Sequence, residues 1–320
     1  MNGEGFLLPT MNSQHLHRLQ AAVASRGLMP AGWIPEASQG RTEEPSIRPA
    51  RLVEGTTLQS IPVGTQEPWP GPVAFLDGTQ RYELVAHAGA ATLVVASISA
   101  AVRERRERRL RTVVRESKIL AIGRPEALAR AGDALEDLEW ITLPDDDPVH
   151  PIRDLIAVRR AVDRERGRLE VKIGRTYEIL PDGWLVVDGS LSDSPDLSSH
   201  SRVIGIARSH AVLPFEGDDL EQYLRLPCGY RSSVFAPTKS QVAPVYSWAL
   251  RLWPWQGHDL FHGLIRVEAR PAMETIAEAD RVSRFLMAER SPLSAPDARW
   301  DRLLYGVRDV ERYLAAGSIP

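Results

Sequence analysis

Apolar positions along this chain follow two periods, and the switches between them mark out its elements. Short apolar runs at residues 73–76, 91–101, 184–187 and 245–253 read as buried strands. Segments 52–63, 81–87, 140–143, 202–213, 230–236 and 263–269 are also β-rich. Apolar residues at helical spacing predict helices over 13–26, 125–138, 152–173, 216–226, 274–288 and 297–315. Trp69–Pro70–Gly71–Pro72 and Pro181–Asp182–Gly183 break the pattern just before the 73–76 and 184–187 runs. Three successive strands at 73–76, 81–87 and 91–101, joined by Gly-containing turns, predict an antiparallel meander.

Composition narrows the class. The chain has 320 residues, 43% hydrophobic and 25% charged, which is ordinary for one large or two modest globular domains. The expected division is an N-terminal extension over 1–70, a core over 71–272 and a C-terminal helical region over 273–320 that completes the core. Lys+Arg number 39 against 42 Asp+Glu, giving −3; this excludes a uniformly basic coat but not a local basic face. A single cysteine, Cys228, forbids an intrachain disulfide and any zinc site needing two cysteines. That usage fits a reducing cytoplasm, and neither a membrane span nor a signal peptide is expected. The chain has no P-loop, no G-x-G-x-x-G, no G-x-S-x-G and no H-E-x-x-H. A thiol nucleophile would have to be Cys228, which reads as a small core residue instead.

Candidate chemistry lies in two similar units, Leu76–Asp77–Gly78–Thr79 and Val187–Asp188–Gly189–Ser190. Each sets a carboxylate at the end of an apolar run, followed by a glycine that would let a metal or phosphate approach the backbone. Asp–Gly after an apolar run is also a common turn needing no function. Two such carboxylates on neighbouring strands, however, suit a hard divalent cation and metal-assisted phosphodiester hydrolysis.

Three strands, a helical region and a strand bearing the second Asp resemble a ribonuclease-H-like core: an α/β fold with a mixed central sheet flanked by helices. Beyond this, the chain resembles the NurA nuclease family. The match lies in Asp77–Gly78–Thr79, in an acidic residue on the intervening helix, and in Val187–Asp188–Gly189–Ser190–Leu191. It continues in Val203–Ile204–Gly205–Ile206–Ala207–Arg208–Ser209, with Arg208 where the family has Lys, and in Ile265–Arg266–Val267–Glu268. The resemblance implies a Mn²⁺-activated (or Mg²⁺-activated) DNA nuclease. It also implies a homodimer that works with a HerA-type hexameric ATPase in DNA end repair or anti-phage defence.

Carried onto this sequence, the resemblance makes Asp77 and Asp188 metal ligands and catalytic residues, with Glu170 as the helical acid and Glu165 in reserve. Glu170 also reads as a partner of Arg166 on a solvated face. The family's late His is absent near Pro292–Leu293; Asp297 falls close to its place, and His262 or His258 are alternatives. Arg208, Arg231, Arg105 and Arg109 are the expected DNA contacts, with Tyr230 and Trp255 as possible stacking residues. The arginines of 103–115 and 153–168 equally fit a salt-bridged solvated helix. Leu7, Leu8 and Met11 suggest a docking arm or a tail. The missing His and the Arg208 replacement also admit a non-catalytic DNA-binding or ATPase-regulating subunit.

Overall fold

The computed structural model describes residues 45–106, 109–132, 138–238, 242–290 and 300–316. The expected helix at 13–26, the docking arm and Asp297 lie outside them. Three short strands come first: β1 (Ser46–Ile47), β2 (Arg51–Leu52) and β3 (Ser60–Pro62). Then come three long ones, β4 (Val73–Ala88), β5 (Ala91–Arg106) and β6 (Arg109–Gly123). Helix α1 (Pro125–Ala131), β7 (Glu139–Thr142) and the long α2 (Pro151–Thr176) lead to β8 (Trp184–Asp188).

After β8 the chain runs through α3 (Pro195–Ser199), β9 (Val203–Ala207), β10 (Val212–Leu213) and α4 (Gly217–Leu224). Strands β11 (Tyr230–Ser232), β12 (Phe235–Ala236), β13 (Tyr246–Arg251) and β14 (Leu264–Ala269) precede α5 (Met273–Glu289) and α6 (Tyr305–Ala316).

The meander is present, but with other bounds. Residues 73–76 and 81–87 are one strand, because Asp77–Gly78 continues the ladder to β5 through Asp77↔Ala101 and Gly78↔Ala100. The arginine-rich stretch 103–115 is no helix; among the described residues it is the end of β5 and the start of β6.

Strand order through the main sheet is β2-β12-β13-β14-β9-β8-β4-β5-β6-β7. Around β4 the arrangement is the ribonuclease-H-like one. β5 and β6 pair antiparallel on one side, while β8 and then β9 pair parallel on the other. The crossover from β6 to β8 carries α2, as a parallel return requires.

Both faces are covered near the centre. Phe75, Val186, Ile204 and Ile206 share a core with α5 and α6, through residues such as Phe285, Val307, Val310 and Leu314. On the opposite face, Ala74, Leu76 and Val187 lie with Val158, Leu169 and Ile173 of α2. Among the described residues no helix is long and apolar enough to cross a membrane.

Helix α6 is seated on β4 by a glycine. A Cβ on Gly306 would meet ring carbons of the buried Phe75 at 2.3 Å. Gly306→Ala should therefore lift α6 from the sheet and cost about 1–3 kcal/mol of stability. A lowered thermal midpoint by circular dichroism is the expected result; an unchanged midpoint would show that α6 is not held there.

Candidate metal centre

The register of the sheet brings the two Asp–Gly units together. β4 and β8 run parallel with Leu76 opposite Val187, so the next residues, Asp77 and Asp188, stand side by side. Their side chains share a face, because Phe75 and Val186, two residues back in each strand, belong to the same core. β9 adds a third group: Ile206 is the register partner of Asp188, and Arg208 follows two residues later on that face. Helix α6 lies over the same face and contributes Glu311. Carboxylate oxygens of Asp77, Asp188 and Glu311 all lie within 4.8 Å of one another.

The electrostatics are severe. Two charged carboxylates no more than 4.8 Å apart repel by at least roughly 3 kcal/mol at an effective dielectric of 20. Asp77 is buried, and burial together with Asp188 and Glu311 holds its pKa well above the usual carboxylate range. One oxygen of Asp77, Oδ1, accepts from the Gly78 N–H at 2.7 Å. The other, Oδ2, is buried without a hydrogen-bond partner.

Arg208 pairs with Asp188 and lies 3.3 Å from Glu311. Burial opposes its charge, but Asp188, Asp77 and Glu311 outweigh that and hold the guanidinium firmly protonated. Its Nη1 is buried without a partner. The site thus contains an acceptor lacking a donor and a donor lacking an acceptor. An oxygen-only set of three carboxylates around an unsatisfied oxygen fits a divalent cation.

Glu170 arrives from the other side of the sheet. Pleating turns Gly78 toward α2, where a Cβ would meet Glu170 Oε1 at 2.2 Å. Gly78 is therefore small to admit a side chain of the same molecule, correcting the expectation that it clears a path for a ligand. Gly189 is glycine for a different reason: its φ is +131°, a conformation L side chains rarely adopt. Glu170 is paired with Arg166, which also donates to Gln80 Oε1 at 3.0 Å. It lies outside the group formed by Asp77, Asp188 and Glu311. Glu165, the reserve, pairs with Arg168.

The other expected residues scatter. His262 stacks on His258 with ring centroids 3.8 Å apart and lies 3.6 Å from Asp301, apart from the acidic group. Arg231 is buried between Glu54 and Asp280, tying the sheet edge to α5, so its guanidinium serves the fold and not a phosphate. Arg105 makes a two-pronged pair with Glu289, again a contact with α5. Arg109 is exposed but opposite Arg106, five residues along β5 from the partner of Asp77, or about 17 Å away. Trp255 is buried and Tyr230 joins an apolar cluster. Burial raises the Cys228 pKa, the opposite of thiol activation.

Glu268, in the late strand of the resemblance, shapes the loop after Asp188. It accepts from Ser190 Oγ at 2.7 Å and from the Leu191 N–H at 2.8 Å. Gly205 leaves room for the same loop, since a Cβ there would meet Gly189 O at 2.7 Å.

Glu311 is the residue that sequence reasoning missed. A signal existed: Val307, Val310 and Leu314 are the buried stripe of α6, and Glu311 lies four residues from Val307 beside it. A carboxylate next to a buried stripe needs a reason.

No family model matches the chain, and no curated protein matches it in sequence. Among solved structures, the NurA nuclease from Sulfolobus solfataricus overlies 83% of this chain and 81% of its own, with 10% identity and a TM-score of 0.45. A likeness of that degree carries no functional conclusion.

Removing one carboxylate should relieve the crowding. In EDTA, Asp77→Asn is expected to raise the thermal midpoint by a few degrees, at about 2–4 °C per kcal/mol. It should also abolish the further rise that Mn²⁺ or Mg²⁺ gives the unaltered chain. A variant that melts lower in EDTA yet still gains from Mn²⁺ would show that Asp77 does not hold a cation.

Proposed function

We propose that this chain is a divalent-cation-dependent DNA nuclease that hydrolyses phosphodiester bonds at Asp77, Asp188 and Glu311. The observation that carries this reading is the pair of unsatisfied buried atoms, Asp77 Oδ2 and Arg208 Nη1. The first suits a cation and the second an anion, and a phosphodiester with its counter-cation supplies both.

Asp77 and Asp188, on rigid strands, would hold the ion together with Glu311 of α6. A divalent cation bound there would polarise a phosphoryl oxygen and acidify water. Arg208 would take a non-bridging phosphate oxygen with its spare N–H, a charge-assisted bond a planar guanidinium makes well. Oxygen ligands accept Mn²⁺ and Mg²⁺ alike; the resemblance favours Mn²⁺. It also extends the proposal to work beside a HerA-type hexameric translocase, in DNA end processing or defence against phage DNA.

One feature favours a second reading. Arg208 already compensates Asp188 and Glu311, as it would in a non-catalytic subunit that binds DNA or regulates an ATPase. The two readings part on one assay: release of nucleotides from labelled single- and double-stranded DNA with Mn²⁺. Catalysis predicts that Asp77→Asn and Asp188→Asn each lower the rate by at least about 100-fold, with Glu311→Gln also impaired. Unchanged rates in both Asp variants would assign any cleavage to a contaminant. No cleavage by the unaltered chain, alone or with its translocase, would leave the non-catalytic reading.

A further inference from the structure

Arg208 is held unlike the arginines that brace the fold. Arg124 grips both oxygens of Asp154 with Nε and Nη2, each at 3.0 Å. Arg231 forks onto Glu54 with Nη1 at 2.6 Å and Nη2 at 2.8 Å, and its Nε goes to Asp280. Arg105 forks onto Glu289 in the same way. Two-pronged pairs fix an arginine in direction as well as in place. Arg208 instead sets one nitrogen, Nη2, against two carboxylates, Asp188 Oδ2 and Glu311 Oε1, and leaves the buried Nη1 without a partner.

The backbone beneath Arg208 is fixed on both sides. β9 ends one residue before it, at Ala207. Two residues after it, His210 Nε2 donates to Leu264 O at 2.9 Å, and the His210 ring stacks on Phe261. The guanidinium can therefore shift only through the torsions of its own long side chain, which is 20% exposed and so within reach of an incoming anion. Its two partners are two of the three acids of the metal centre. Being a permanent cation, it already holds lone pairs that a divalent ion would need. An ion bound by those acids with Arg208 in its present place would set like charges against one another at short range.

We propose that Arg208 makes cation binding conditional on an anionic backbone: it competes with the ion for Asp188 and Glu311, and a phosphodiester draws it away. This rests on the cation reading of Asp77, Asp188 and Glu311, and adds to it what decides when the ion binds. Alone, the chain compensates its acids from within and takes a divalent ion weakly. A phosphate offers Arg208 charge-assisted bonds in exchange for those it gives up, and Nη1 is unpartnered and can make the first of them. Ion and nucleic acid then strengthen one another's binding, by the same factor in both directions.

The test is Mn²⁺ affinity, read by isothermal titration calorimetry of the full chain with and without a short phosphorothioate oligodeoxynucleotide, which keeps the backbone charge and resists hydrolysis. Arg208→Gln keeps a hydrogen-bonding side chain and removes the charge. It should bind Mn²⁺ alone roughly tenfold more tightly than the unaltered chain, and gain less from the oligonucleotide. Arg208→Lys, which keeps the charge, should bind Mn²⁺ alone as weakly as the unaltered chain. A methylphosphonate oligonucleotide, uncharged along its backbone, should leave the Mn²⁺ affinity of the unaltered chain where it was. Equal or weaker Mn²⁺ binding by Arg208→Gln overturns the proposal and leaves the cation site standing, whereas no Mn²⁺ binding by either form overturns both. A lysine variant as tight as the glutamine one also overturns it, since charge would not be the cause. Should Arg208→Gln fail to fold, the oligonucleotides decide on the unaltered chain, and equal Mn²⁺ affinity with the charged and uncharged backbones overturns the proposal.

Discussion

Burying one aspartate among like charges is the constraint around which this molecule is arranged. Asp77 sits in the middle of the sheet, at the level where β8 ends and β4 goes on alone. There it loses its lateral strand partner and gains Asp188 and Glu311. Burial and repulsion both act against a charged carboxylate there, and the nearby Arg208 charge does not outweigh them. Its surroundings are correspondingly over-determined. The α6 helix is fixed against Phe75, the loop after Asp188 is held by Glu268, and Arg208 is locked between two acids. Rigid support around an unfavourable group is how proteins keep a site ready for a ligand that supplies the missing charge.

The strand bearing Asp188, the long helix, the late strands and the order of elements were legible because each has a clear period or breaker. So was the pairing of Asp77 with Asp188, since two apolar runs of matched flanks in a parallel sheet fall into register. The continuation of β4 was not legible. Asp–Gly is a strong turn signal, and only the presence of Glu170 behind Gly78 explains a glycine inside a strand. Arginines 105 and 231 looked available for phosphate because their acidic partners, Glu289, Glu54 and Asp280, are 184, 177 and 49 residues away. Long-range ion pairs leave no trace in local sequence. Glu311 was hidden for a similar reason: its role depends on where α6 lands.

The two Asp–Gly units look alike in sequence yet owe their glycines to unrelated needs, one steric and one conformational. What they share is only the carboxylate and its position relative to the sheet. Similarity between short motifs is therefore evidence about the side chain they present, and says little about the backbone beneath.

The three acids come from segments separated by 188 − 77 = 111 and 311 − 77 = 234 positions. A ribosome must therefore synthesise well past both strands before the third ligand exists, and contacts of such span form late. Until α6 docks, a nascent or truncated chain holds at most two of the three oxygens that would fix the ion. If the cluster is a cutting centre, the topology itself delays the hazard, keeping an unfinished polypeptide harmless to the nucleic acid around it.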